Sequence, residues 1–174
     1  GVMYLIGVRM KSREVYQDCI HAKEYLERAI EEGDYTQAKI LWFSCVTLLR
    51  AIGHVLDKVD KHKYDDEFKR ELSRRFSKWK SVPIFRDFIN EERNQILKEY
   101  KSSVEVSSTK KVFALATSDG RRLVTSTGQS LTGVSTLREL IKSRGAYTGT
   151  SPITVLESAI QWWDTELVNL ESFT

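Results

Sequence analysis

The sequence is poor in the residues that staple, kink or metallate a chain. It holds two prolines, two cysteines, two methionines and three histidines among 174 residues. Two cysteines cannot make a disulfide framework. Cys19 and Cys45 both fall in apolar-periodic helical stretches, which fits reduced core thiols in an intracellular protein. The histidines, His21, His54 and His62, are scattered, and no two share metal-ligand spacing on a helix, so no metal site is expected. There is no glycine-rich phosphate loop, no strand-borne dinucleotide fingerprint and no Gly-x-Ser-x-Gly elbow, and no cofactor is implied. No apolar run reaches transmembrane length. The opening segment, residues 1–10, is too short and poorly flanked for a signal peptide and suits an edge strand. A cytoplasmic location without membrane contact is expected.

What is present describes one globular domain spanning 1–174. The chain is long enough to bury a real core, and 41% hydrophobic with 29% charged residues is an ordinary balance for a globular protein. A formal charge of +3 does not by itself announce a nucleic-acid binder. Its distribution says more. Between 61 and 80, Lys61, Lys63, Lys69, Arg70, Arg74, Arg75, Lys78 and Lys80 outnumber the acids, whereas 151–174 carries four acids and no base. One end of such a molecule suits an anionic partner.

Apolar spacing predicts a mainly α fold. Tyr16, Cys19, Ile20, Leu26, Ala29 and Ile30 mark a first helix over about 12–32. Gly33 then suits a C-cap, and Asp34 with Gln37 an N-terminal capping box, so a tight helical hairpin follows. Ala38, Leu41, Trp42, Cys45, Leu48, Leu49, Ile52, Val55, Leu56 and Val59 give a long second helix. Its stripe of Arg50, His54, Asp57 and Lys61 reads as a solvated, ion-paired face. A third helix covers about 65–80. Past residue 101 the texture changes. Segments 104–107 and 111–117 are β-prone, and Ser118-Asp119-Gly120 is a strong turn signal. Residues 104–150 therefore read as a small β-hairpin and loop inserted before the last helix, with a short helical hint at 136–142. No internal repeat stands out. Ser151-Pro152 opens a last helix with Leu156, Ile160, Trp163 and Leu167 inward. Trp162-Trp163 offers rings for base stacking, but the spacing of Trp163 is that of a core residue.

The stretch 83–101 holds the richest signal. Phe85, Phe88, Ile89, Ile96, Leu97 and Tyr100 share one helical arc, and Glu92 and Arg93 intrude on it. A charge on a core-facing arc costs several kcal/mol unless paired. Two readings follow. Glu92 and Arg93 form an ion-pair device that fixes helix register, with Tyr100 finishing the core; or they belong to a ligand site.

The helical hairpin followed by Arg93-Asn94-x-x-x-Lys98-x-Tyr100 late in a bundle resembles the HEPN superfamily of prokaryotic helical domains. The resemblance covers about two thirds of the chain and leaves the 104–150 insertion unexplained. It implies a bundle of four to five helices, a homodimer and contact with RNA or a nucleotide. In the family's ribonucleases, some of them toxins of toxin–antitoxin pairs, a histidine stands where this chain has Lys98. Arg holds the scissile phosphate there and His moves protons without a metal. A lysine, with an unperturbed pKa of about 10.4, is no base near neutrality. The resemblance therefore implies a degenerate ribonuclease site that binds through Glu92, Arg93, Asn94 and Lys98 rather than cutting. The alternatives are a metal-independent ribonuclease using Arg93, Lys98 and Tyr100, and a protein-interaction scaffold.

Overall fold

The computed structural model describes residues 9–174. The edge strand expected near the start lies outside them. The order of elements is α1 (Lys11–Glu31), α2 (Tyr35–Lys58), a 3-10 turn (Asp60–His62), α3 (Asp66–Trp79), a π-helical segment (Ile84–Asn90), α4 (Glu91–Glu99), β1 (Val104–Ala114), β2 (Thr132–Lys142) and α5 (Pro152–Glu171). A helical bundle carrying a two-stranded insertion before its last helix is the expected class.

The hairpin of α1 and α2 forms as its linker dictates. Gly33 takes φ +72°, and the Asp34 carboxylate accepts from the Gln37 N–H at 3.0 Å. The backbone N–H of Asp34 goes to Ala29 O instead, so a helix C-cap takes the place of the reciprocal half of a capping box. Helix α2 is the axis of the core, with Trp42, Cys45, Val46, Leu49, Ile52 and Leu56 fully buried. The Tyr35–His62 stretch is long and apolar enough to cross a membrane by composition. Its inward face packs against α1, α5 and the segment after Pro83, as a central helix must. Each large apolar side chain buried this way contributes about 1.5–3 kcal/mol. Below α2, Asp60 is wholly buried and caps α1 from a distance. Its carboxylate accepts from the N–H groups of Lys11 (2.7 Å) and Ser12 (2.9 Å), where the helix dipole favours negative charge.

The segment after Pro83 is one continuous helical path, but not one α-helix. Residues Ile84–Asn90 are wound as a π-helix before α4 begins. The wider turns rotate everything after Asn90 relative to Phe85 and Phe88, so an arc drawn at constant α pitch misplaces Leu97 and Tyr100. Both are exposed. Tyr100 ends the helix in the left-handed region at φ +50°.

In the insertion, β1 pairs with β2 in register from Val104–Lys142 to Ala114–Thr132. Residues 136–142, read as a helical hint, are therefore strand. Their helical preference yields to a full ladder of partner hydrogen bonds. Beyond the ladder the tip closes on itself. Leu115 N–H donates to Leu131 O, Leu123 N–H to Leu115 O, and Leu131 N–H to Leu123 O. This ring exposes a repeat that the sequence reading missed: Leu115, Thr117, Ser118, Gly120, Leu123 recurs as Leu123, Thr125, Ser126, Gly128, Leu131. Gly120 and Gly128 both take positive φ in the two small turns, +87° and +84°.

Candidate anion-binding site

The two charges that intrude on the 83–101 arc part company. Glu92 is buried, and its Oε1 lies 2.6 Å from the Nζ of Lys142, itself fully buried. Its Oε2 accepts the Ser103 hydroxyl, and the Lys142 ammonium also donates to the Arg144 carbonyl. Glu92 thus joins α4 to the last residue of β2 and to the residue just before β1. It makes no ion pair with Arg93.

Arg93 is half-buried and donates from Nη1 to Asn94 Oδ1 at 3.2 Å. Among the described residues it meets no carboxylate. Arg50 and His54 are among the groups its charge acts on. Arg50 of α2 has its guanidinium pKa pushed down by burial and then by the charge of Arg93. His54, one turn on, is also pushed below its usual value, by burial, Arg50 and Arg93 in that order, with Asp57 opposing. Arg50, His54 and Arg93 thus act on one another electrostatically between α2 and α4, with Asp57 opposing at His54.

Arg50 is held firmly. Its Nε donates to Asn90 Oδ1 at 3.2 Å, and the guanidinium lies over the Phe85 ring at 5.5 Å. Its Nη1 is buried without an acceptor among the described residues. A Cβ at Gly53 would meet that Nη1 at 3.2 Å and the Trp163 ring at 3.4 Å, so the glycine makes room for the arginine. The stripe read as one solvated, ion-paired face is thus two things. Asp57 pairs with Lys58 at 2.9 Å and Lys61 at 3.4 Å as expected, but Arg50 turns into the bundle. Sequence held a signal for this. The neighbours of Arg50 one turn away are Val46, Thr47, Gly53 and His54, none of them acidic.

The remaining candidates sit apart. Lys98 is exposed and lines a shallow groove with Glu91, Asn94, Gln95 and Glu99. Tyr100 stacks edge-on against Phe43 at 5.3 Å, with Lys39 over its ring at 5.2 Å, beside an apolar depression lined by Ile40, Thr47 and Leu48. It does not finish the core. Trp163 is buried and Trp162 partly so, both in an aromatic cluster with Trp79 and Phe85. A cavity of about 600 Å³ lies beside Arg13, whose charge is already met by Asp164 and Glu171 at 2.7 Å each. An anion gains less there than beside Arg50 and Arg93. No group of three or more metal-ligating side chains occurs among the described residues.

Comparison with protein-family models, with curated proteins and with solved structures finds no match to this chain.

Proposed function

We propose that this chain is a HEPN-like domain that binds RNA or a nucleotide through its phosphate. The observation that carries the reading is that Arg50 and Arg93 act on one another as like charges while, among the described residues, each meets an asparagine oxygen and no carboxylate. Like charges brought together and partly desolvated are stabilised by a bound anion, and arginine forks match phosphate oxygens. Asn90 and Asn94 hold the two guanidinium groups through their side-chain oxygens. Lys98 stands apart from the arginines, in a groove with Glu91 and Glu99, and adds a point charge only for a ligand that runs past Asn94. Glu92 is left out of the ligand set because Lys142 and Ser103 occupy its carboxylate. The π-helical winding of Ile84–Asn90 supports a functional reading, since such turns recur at functional sites. The domain works as a cytoplasmic homodimer in a prokaryotic toxin–antitoxin or defence setting, and exposed Ile40, Leu97 and Tyr100 supply apolar surface for a second copy.

The test is RNA binding across a salt series. Affinity should fall steeply with salt, and Arg93→Ala should weaken it and flatten the slope. Binding indifferent to both, or none at all, removes the reading.

His54 favours a second reading, the metal-independent ribonuclease. A histidine kept neutral beside two arginines could accept the proton of a ribose 2′-hydroxyl attacking the adjacent phosphate. The 2′,3′-cyclic phosphate would form as the 5′-oxygen leaves, with a proton supplied to that oxygen by water. Cleavage of a labelled RNA in chelator, lost in His54→Ala but kept in His21→Ala, would establish it; an intact RNA at high protein concentration would end it.

A further inference from the structure

Beside the cationic cluster lies a cavity that neither strand tracking nor cleavage requires. It has a volume of about 360 Å³ and is lined by Arg50, Phe76, Lys80, Phe85, Arg86 and Asn90. That is within the size range of small-molecule pockets. Three of its six walls are cationic. Arg86 is held by exposed Asp87 at 2.6 and 2.8 Å, while Arg50 and Lys80 meet no carboxylate among the described residues. Its apolar walls are phenyl rings fixed from behind, since Trp79 packs against Phe76 at 4.7 Å and Phe85 at 6.1 Å. The π-helical segment supplies Phe85, Arg86 and Asn90, and so shapes one side of the cavity.

A flat apolar wall beside a cationic rim suits a ligand with both characters. Inorganic phosphate would leave the rings unused. A nucleoside would leave Arg50 and Lys80 without a counter-charge. The interior of an RNA strand presents only singly charged diesters and cannot enter a small pocket end-on. We infer that this cavity takes a nucleoside monophosphate unit, its base against the accessible ring of Phe76 and its phosphomonoester on Arg50 and Lys80. The same chemistry is offered by a free mononucleotide and by the 5′-phosphorylated end of an RNA. The inference rests on the reading of the Arg50–Arg93 cluster as a phosphate site, and gives it end-specificity.

The experiment titrates the full chain with adenosine and guanosine 5′-monophosphates, the two nucleosides, inorganic phosphate, and one short RNA bearing either a 5′-phosphate or a 5′-hydroxyl. Binding is read by calorimetry and by the tryptophan fluorescence of the bordering Trp79 cluster. Monophosphates should bind at least about tenfold tighter than nucleosides or phosphate, a difference of about 1.4 kcal/mol. Lys80→Ala and Phe76→Leu, both at positions that are not fully buried, should each remove most of that advantage. Preference for the phosphorylated RNA would assign the site to strand ends; monophosphate binding with no such preference would assign it to free nucleotides. The inference is overturned if mononucleotide affinity is unchanged in both variants, or if phosphate alone binds as tightly. RNA bound through Arg93 with equal affinity for both 5′ ends, and no mononucleotide bound, overturns it while leaving the RNA reading standing. If neither RNA nor nucleotide binds, both fall.

Discussion

Glu92 and Lys142 meet at 2.6 Å in the interior, one at the start of α4 and the other at the end of β2. Both are buried, and each has further hydrogen bonds, to Ser103 and to the Arg144 carbonyl. Removing one partner leaves an uncompensated buried charge, which costs about 3–5 kcal/mol. Lys142→Ala should therefore lower unfolding free energy by that order in urea denaturation. Replacing the pair together, Glu92→Leu with Lys142→Met, should recover most of the loss. A double variant no more stable than the single one would show that the pair is not acting as a coupled unit.

Burial first, and then the charges of Arg50 and Arg93, hold His54 below its ordinary pKa, so the neutral imidazole is favoured at pH 7 in the unliganded chain. A phosphate bound between the arginines cancels their repulsion, and the His54 value should rise towards or beyond the usual value of about 6.5. Two-dimensional NMR titration with and without a short RNA measures this directly, and an unmoved His54 would separate it from the binding site. The sign for folding follows. A depressed folded pKa means that the unfolded chain binds the proton more readily, so this contribution is present above the unfolded value and is lost as pH falls through the folded one. Exposure of the ring keeps the effect small.

Burial raises both thiols. Cys19 lies at the α1–α2 contact with its Sγ donating to the Cys45 carbonyl at 3.7 Å, and Cys45 is pushed up to about 12. Neither should react with a thiol reagent at pH 8 until the chain unfolds, because the thiolate is the reactive form. Rapid labelling under native conditions would contradict the packing of α1 on α2.

The Asp60 carboxylate closes the first turn of α1 from across the chain. Asp60→Ala leaves two buried or partly buried N–H groups without acceptors and should cost about 1–3 kcal/mol. Asp60→Asn, which keeps an oxygen acceptor, should cost less. Equal losses would mean that negative charge at the helix start, not the hydrogen bonds, supplies the stabilisation.

Much of the fold was legible because helices and their caps are local. The stripe through Trp42, Cys45, Leu49, Ile52 and Leu56, the Gly33-Asp34 junction and the Ser151-Pro152 start all act within a few residues of themselves. The pairing of β1 with β2 was not legible. A turn signal at Ser118-Asp119-Gly120 pointed to a local hairpin, and that turn does form, with Thr117 N–H on Arg121 O at 2.8 Å. It closes only a leaf of the tip, while the long ladder joins segments separated by the whole repeat. In the candidate site, Arg93 was visible as a charge on an apolar arc. Arg50 stood in a stripe read as solvated, and its meeting with Asn90 was not legible, because it depends on how far the π-helical turns rotate Asn90 towards α2.

By itself the sequence determined a helical core, an inserted β element and the residue types available for phosphate binding, since periodicity and turn chemistry are properties of neighbours in the chain. Tertiary structure decided the partners. It gave Glu92 to Lys142 rather than to Arg93, because a buried carboxylate needs a counter-charge that can reach it through the fold. That assignment leaves Arg93 with the Asn94 oxygen and, among the described residues, no carboxylate.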